Sequence, residues 1–178
     1  MRPNFRKVLF VVILIFAFIL RFWHYDLRYG IGYDGSRDAI VSFESARQLQ
    51  LPLTGSFSSI GPITFGPWYY YYITLANFVI PSIWAPWMAI GLASLAMVLV
   101  MYKIGVLLLS PAFGLLLAFI AAISPAQISA STPLQQHALI GLLSSLILYL
   151  FIKVSSSHES GKISALWGFL SGVAINTH

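Results

Sequence analysis

The sequence has no cysteine and only five acidic residues in 178 positions. Without a thiol there is no disulfide, no thiolate nucleophile and no cysteine-based metal site. Charged residues of either sign make up 8% of the chain, against about 25% in an ordinary soluble domain. That shortfall excludes a conventional water-soluble surface. There is no Walker A loop, no GxSxG elbow and no GxGxxG fingerprint, so nothing points to nucleotide hydrolysis or a serine hydrolase. His24, His137 and His178 stand alone, with no HExxH-type spacing, so no metal ligand set and no cofactor are indicated. The ten basic residues form no run or stripe, and the net charge of +5 is therefore not the footprint of a nucleic-acid binder.

What the chain has instead is hydrocarbon. Apolar residues are 58% of it, and the mean hydropathy is +0.84. This composition predicts an all-α polytopic membrane protein, with residues 1–178 forming a single transmembrane domain. Spans of about 20 residues fit at roughly 6–25, 83–103, 108–124, 134–153 and 163–178, leaving one long loop over 26–82. The first span follows a basic start (Arg2, Arg6, Lys7) and contains the apolar run Val8 to Leu20. A signal peptide begins in the same way, but Arg21-Phe22-Trp23-His24-Tyr25 stands where a small-residue cleavage site belongs. The segment therefore reads as an uncleaved span, with Trp23 and Tyr25 in the headgroup zone and Arg21 snorkelling to it.

Charge sets the expected orientation. With the N-terminus in the cytoplasm, Arg2, Arg6, Lys7, Lys103, Lys153 and Lys162 lie inside, against Arg21, Arg28, Arg37 and Arg47 outside. This is the positive-inside pattern, and it places the 26–82 loop outside the cytoplasm, most naturally of a bacterial or archaeal plasma membrane.

That loop holds Asp26, Asp34, Asp38 and Glu44, leaving only Glu159 elsewhere. A helix is predicted from Ser36 to Gln50, with Ala39, Phe43, Ala46 and Leu49 as its apolar stripe, a pattern suited to the membrane interface. Asp38 and Glu44 fall off the stripe and read first as solvated, and Glu44 has the spacing to pair with Arg47. Pro52 and Gly55 end that helix, and Ser56 to Gly66 reads as loop. Pro67 opens a second short helix to about residue 79, beginning Trp68-Tyr69-Tyr70-Tyr71-Tyr72. Ser124 to Pro133 reads as a polar connection.

Asp34, within Tyr33-Asp34-Gly35-Ser36-Arg37-Asp38, is the candidate catalytic residue. Its bland reading is a helix N-cap, accepting an N–H from Ser36 or Arg37. Its functional reading is an acid or base at the bilayer surface, beside glycines that admit a close ligand and beside Arg37, whose guanidinium suits a phosphate or holds a carboxylate in place. Candidate substrate contacts are Arg37, Asp38, Tyr69, Tyr70 and His137. The tyrosine run reads first as an interfacial aromatic belt, and otherwise as a surface that stacks on sugar rings or flanks a lipid groove. Gln135-Gln136-His137 opens the fourth span on the same side as Asp34.

The order of these elements resembles the N-terminal part of the GT-C class of membrane glycosyltransferases, nearest the PMT/ArnT-like families and their RgtA/B/C/D-like relatives. The resemblance rests on Tyr33-Asp34-Gly35-Ser36-Arg37-Asp38-Ala39, on Gly61 with Phe65-Gly66-Pro67-Trp68-Tyr69-Tyr70-Tyr71, and on Gly168 to His178. It implies an enzyme that moves a sugar from a polyprenyl-phosphate donor to an extracytoplasmic lipid, glycan or protein. It implies that Asp34 is the critical carboxylate and Arg37 the arginine of the family motif. Gly35 stands where many members carry a second acid, and Phe65-Gly66 precedes Pro67 where some relatives carry a charged residue, so no metal ligand is carried over. The resemblance covers nearly all of this chain and only part of a whole enzyme of that kind, so the chain is expected to be an N-terminal portion. Two other classes remain open: a transporter or flippase subunit, which expects ionisable groups or broken helices at bilayer depth, and a non-enzymatic membrane assembly protein, in which Asp34 is a dispensable cap.

Overall fold

The computed structural model describes residues 3–58, 62–156 and 161–177. Arg2, Gly61, Glu159 and His178, which enter the sequence reading, lie outside the described residues. The fold is all-helical. In chain order the helices are α1 (Pro3–Phe22), α2 (Tyr25–Arg28), α3 (Tyr33–Gln48), α4 (Trp68–Val79), α5 (Ala85–Leu108), α6 (Pro111–Ile123), α7 (Pro125–Ala130), α8 (Ile140–Ser156, entered through a 3-10 turn at Gln136–Leu139) and α9 (Gly161–Thr177). The segments Ala85–Leu108 and Gln136–Ser155 are long and apolar enough to cross a membrane, and Pro111–Ile123 is a shorter apolar helix. Between α3 and α4 the chain forms a small antiparallel turn, bridged at Phe57 and Thr64, where a plain loop is expected.

The centre of the packing is α5, which contacts α1, α4, α6 and α8. It passes through two apolar cores. One holds Ile13, Ala17, Met97, Val98, Leu115, Ala118, Ala121 and Ala122, gathered from α1, α5 and α6. The other holds Ala39, Tyr69, Tyr70, Ile73, Trp87, Ile90, Ala93, Leu134 and Leu139, gathered from α3, α4, the first half of α5 and the approach to α8. The hairpin of α5 and α6 is closed by Ser110, whose hydroxyl caps the Phe113 N–H at 3.2 Å, with Pro111 at the first helical position. There the helices cross on glycine: a Cβ on Gly105 would meet the Gly114 Cα at 2.6 Å.

Arg21 does not snorkel. It is fully buried between α1, α5 and α6. Its Nη2 donates to Ala121 O (3.1 Å), its Nη1 to Ala122 O (3.0 Å) and Ala17 O (3.2 Å), and its Nε to the Ser94 hydroxyl (2.9 Å). The reason lies in Pro125, which has no N–H to give to the Ala121 carbonyl four residues before it. The guanidinium fills that vacancy and caps α6. The same break starts α7, a short helix inside the stretch expected to be a polar connection.

The interfacial stripe expected on α3 also needs correction. The buried residues are Gly35, Asp38, Ala39 and Ser42, while Leu49 is exposed and ends the helix in the left-handed region at φ 56°. The buried face is thus polar, because it meets polar groups on α4: Tyr70 and Asn77 hydrogen-bond to Asp38 and Ser42 respectively. Glu44 and Arg47 form no ion pair with each other.

Candidate functional site

The N-terminal end of α3 opens onto a cavity of about 780 Å³ lined by Asp34, Arg37, Asp38, Ser56, Phe57, Ser58, Phe65, Gln135, Gln136 and His137. Three separate stretches of sequence build it. α3 supplies the acids and the arginine, the turn after α3 supplies Ser56, Phe57, Ser58 and Phe65, and the entry to α8 supplies Gln135 to His137. The Ser56 hydroxyl donates to Gln136 Oε1 at 2.8 Å, which ties the second wall to the third. Gly35 lets α3 sit close against the third wall, since a Cβ there would lie 3.3 Å from Leu134 O. The Gly66 N–H donates to Asn176 O at 2.8 Å and anchors the far end of the turn on α9.

Asp34 is not the N-cap of α3. Gly32 holds that position without a side-chain cap, and Asp34 lies within the first turn, where a carboxylate interacts favourably with the helix dipole. Its Oδ1 accepts from Arg37 Nη1 at 3.0 Å. Arg37 bridges to a second acid: its Nε and Nη2 lie 2.9 and 2.8 Å from Asp38 Oδ1. The two contacts differ in kind. The Asp34 side chain is 64% exposed and the Asp38 side chain 4%. An exposed pair contributes about 0.2–1 kcal/mol, and desolvation makes the inner contact the harder one to break cleanly. An anion arriving at Arg37 therefore displaces Asp34 more readily than Asp38.

Asp38 is not on a solvated face. It lines the floor of the cavity, and its Oδ1 also accepts from the Tyr70 hydroxyl at 2.8 Å. Burial pushes its carboxyl above the ordinary value, and the hydrogen bonds from Tyr70 and Arg37 pull it part of the way back. Burial works against the Arg37 charge as well, but its hydrogen bond and ion pair with Asp38 outweigh that and raise its pKa.

Tyr69 and Tyr70 do not reach the cavity. Both are buried in the core beneath Asp38. Burial, followed by the adjacent Asp38 carboxylate, raises both phenols above the ordinary value, so each stays protonated. They support the site from behind, because the tyrosines of α4 fill the space between α3 and α5. His137 does line the cavity and is exposed. Ser56, Phe57 and Phe65 are site residues that sequence reasoning passed over as loop. Gln135 and Gln136 carried a signal there, as polar residues opening an apolar span on the Asp34 side. Among the described residues, no group of three or more His, Asp or Glu side chains is placed to hold a metal ion.

The arrangement joins an exposed carboxylate, a half-buried guanidinium and neutral polar groups around one open cavity. It can offer a proton acceptor and an anion contact a few ångströms apart. Comparisons of this chain with protein-family models, curated proteins and solved structures found no match.

Proposed function

We propose that this chain is a membrane glycosyltransferase or a part of one, with five spans and with Asp34 at an extracytoplasmic active site. The observation that carries the reading is Arg37 held between an exposed Asp34 and a buried Asp38 at an open cavity. The resemblance of the Tyr33–Ala39 segment to GT-C enzymes points to the same carboxylate.

The membrane setting has its own support. Val8, Val12, Ile15 and Ile19 on α1, Leu116, Phe119 and Ile120 on α6, and Phe151 on α8 are exposed, while Arg21, Asp38, Ser42, Thr74 and Asn77 are buried. A water-soluble domain distributes these types the other way round. Hydrocarbon is the solvent that suits such an outer face.

In the proposed reaction the donor is a polyprenyl-phosphate sugar and the acceptor a hydroxyl outside the cytoplasm. The donor phosphate occupies Arg37 and releases Asp34 from it. Asp34 takes the acceptor proton while the acceptor oxygen bonds to the anomeric carbon, and the bond from that carbon to the phosphate oxygen breaks with its electron pair. Arg37 offsets the charge that collects on the leaving phosphate. Asp38 and Tyr70 hold Arg37 in place throughout, and His137 and Gln135 face the acceptor side. Membrane lipids and the lipid-linked donor are the partners in this reading, and the acceptor is a lipid, glycan or protein. Sugar transfer by membranes carrying Asp34→Asn, compared with wild type, tests it.

The transporter alternative expects ionisable groups at bilayer depth, and Arg21 together with the break between α6 and α7 is such a feature. All three Arg21 nitrogens, however, are engaged by Ser94 and helix carbonyls. That favours a cap over a moving charge.

A further inference from the structure

From Gln48 to Tyr102 the chain has no Asp, Glu, Lys, Arg or His. The turn between α3 and α4 falls inside this uncharged stretch, and there Leu49, Leu51, Leu53, Phe57 and Ile63 are exposed. Leu53 is 89% exposed and Phe57 76%. The exposed polar residues beside them, Gln50, Thr54 and Thr64, are all uncharged. The exposed surface of α3 just before it is of another kind, with Asp34, Glu44, Arg47 and Gln48. Beyond the turn the apolar exposure continues through Leu75, Phe78, Val79 and Ile80 on α4 to Met88 and Leu92 on α5. An exposed apolar tract of this extent marks a surface that meets something other than water.

Two hydrogen bonds fix the level at which the turn lies. The Ser56 hydroxyl donates to Gln136 Oε1 at 2.8 Å, and Gln136 begins the apolar segment Gln136–Ser155. The Gly66 N–H donates to Asn176 O at 2.8 Å, in the last turn of α9. The turn is thus fastened to the start of one apolar helix and to the end of the next. That is the level at which hydrocarbon gives way to head groups when such helices cross a bilayer. Its backbone suits the place. The Gly55 N–H donates to Phe65 O (2.8 Å), the Phe65 N–H to Ser56 O (3.0 Å) and the Ser58 N–H to Ile63 O (2.8 Å). Amides paired in this way leave water without the cost of an orphaned polar group. With no basic residue in the stretch, attraction to anionic head groups has no source here, and burial of apolar side chains is the force available.

We propose that this turn docks on the lipid surface of the extracytoplasmic leaflet, with Leu49, Leu51, Leu53, Phe57 and Ile63 against the acyl boundary. The proposal rests on the membrane reading given above and is independent of sugar transfer. Phe57 belongs both to this surface and to the lining of the cavity at Asp34. The lipid boundary therefore reaches the rim of that cavity.

The test is fluorescence quenching of the full chain in phosphatidylcholine vesicles, and it needs no enzymatic activity. The chain has no cysteine, so Leu53→Cys, Ile63→Cys, Glu44→Cys and Val12→Cys each carry one fluorophore. All four positions are exposed, so the core stays intact, which an unchanged melting temperature confirms. Glu44 reports the water-facing side of α3, and Val12 the apolar outer face of α1. One quencher is phosphatidylcholine bearing a nitroxide near the top of its acyl chain, and the other is aqueous iodide. The expected result is that the lipid nitroxide quenches the Leu53 and Ile63 sites several-fold more strongly than the Glu44 site, and that iodide does the reverse. Iodide quenching at Leu53 and Ile63 equal to that at Glu44, with Val12 shielded, would overturn the proposal and leave the membrane reading standing. Sites shielded from both quenchers would overturn it in favour of a protein contact, whether a partner or a second copy. Iodide quenching at Val12 as strong as at Glu44 would remove the membrane reading and the proposal with it.

Discussion

Tyr70 donates its hydroxyl to the same Asp38 oxygen that receives Arg37, at 2.8 Å, and so joins α4 to α3 across 32 residues of sequence. The contact sits behind the cavity rather than in it. Tyr70→Phe removes one of the two donors that hold a buried carboxylate. We expect a loss of about 1.5–3 kcal/mol, the scale of a hydrogen bond to a charged group, read as a lowered melting temperature. Tyr71→Phe, outside this network, should have little effect.

The same carboxylate gives a pH dependence of defined sign. Asp38 is raised above its ordinary 3.8, so the folded chain keeps this proton to higher pH than the unfolded chain. The contribution to stability is fully present below 3.8 and is lost as pH rises through the folded value. Stability measured against pH should therefore carry a component that falls from 3.8 upward, and Asp38→Asn should lack that component. A wild-type minus Asp38→Asn difference that does not vary with pH would contradict the burial argument.

Arg21 offers a sharp distinction between a snorkelling side chain and a helix cap. Arg21→Ala leaves the Ala121 and Ala122 carbonyls without their donor, at about 1–3 kcal/mol for each unsatisfied group. Arg21→Lys keeps the charge and loses the planar fork that serves three carbonyls and a hydroxyl, so it should be destabilised as well. Thermal unfolding in detergent checks both. A Lys variant as stable as wild type would show that the charge, not the fork, is what matters.

Packing of α5 on α6 depends on having no side chain at the crossing. A Cβ on Gly114 would lie 2.7 Å from Tyr102 O, a backbone atom that cannot move aside cheaply. Gly114→Ala should cost about 1–3 kcal/mol through overpacking. Gly168→Ala, with nothing within 4 Å of the new methyl, should be neutral or slightly stabilising.

The lack of any cysteine makes the proposed topology directly measurable. Gly30→Cys and Gly161→Cys both introduce thiols into open space. A membrane-impermeant maleimide should label the first in intact cells and the second only after permeabilisation. The reverse pattern would invert the orientation.

Much of the helical layout was legible because apolar runs and their punctuation are local. Val8 to Leu20 lies within α1, most of Ile83 to Tyr102 lies within α5, most of Leu134 to Ile152 lies within the 3-10 turn and α8, and Pro67 and Pro111 sit at the starts their chemistry favours. Asp34, Arg37 and His137 were named from sequence and share one cavity. What could not be read is what depends on distant partners. The buried face of α3 is polar because α4 answers it, and no stripe of apolar residues records that. Arg21 turns inward because Pro125, far along the chain, leaves a carbonyl unpaired. Ser56 and Phe57 join the site through a turn whose pairing with Thr64 and Phe65 has no periodic signature.

The central claim is that Asp34 is the catalytic carboxylate of a sugar transfer. The direct measurement is transfer of radiolabelled sugar from polyprenyl-phosphate donors by membranes carrying the full-length gene product, wild type against Asp34→Asn at equal expression. The account predicts a loss of at least about a hundredfold, the lower end of what a positioned acid–base group contributes, with melting temperature nearly unchanged because the Asp34 side chain is exposed. Equal transfer by the two proteins would contradict it and leave Asp34 as no more than an exposed partner of Arg37.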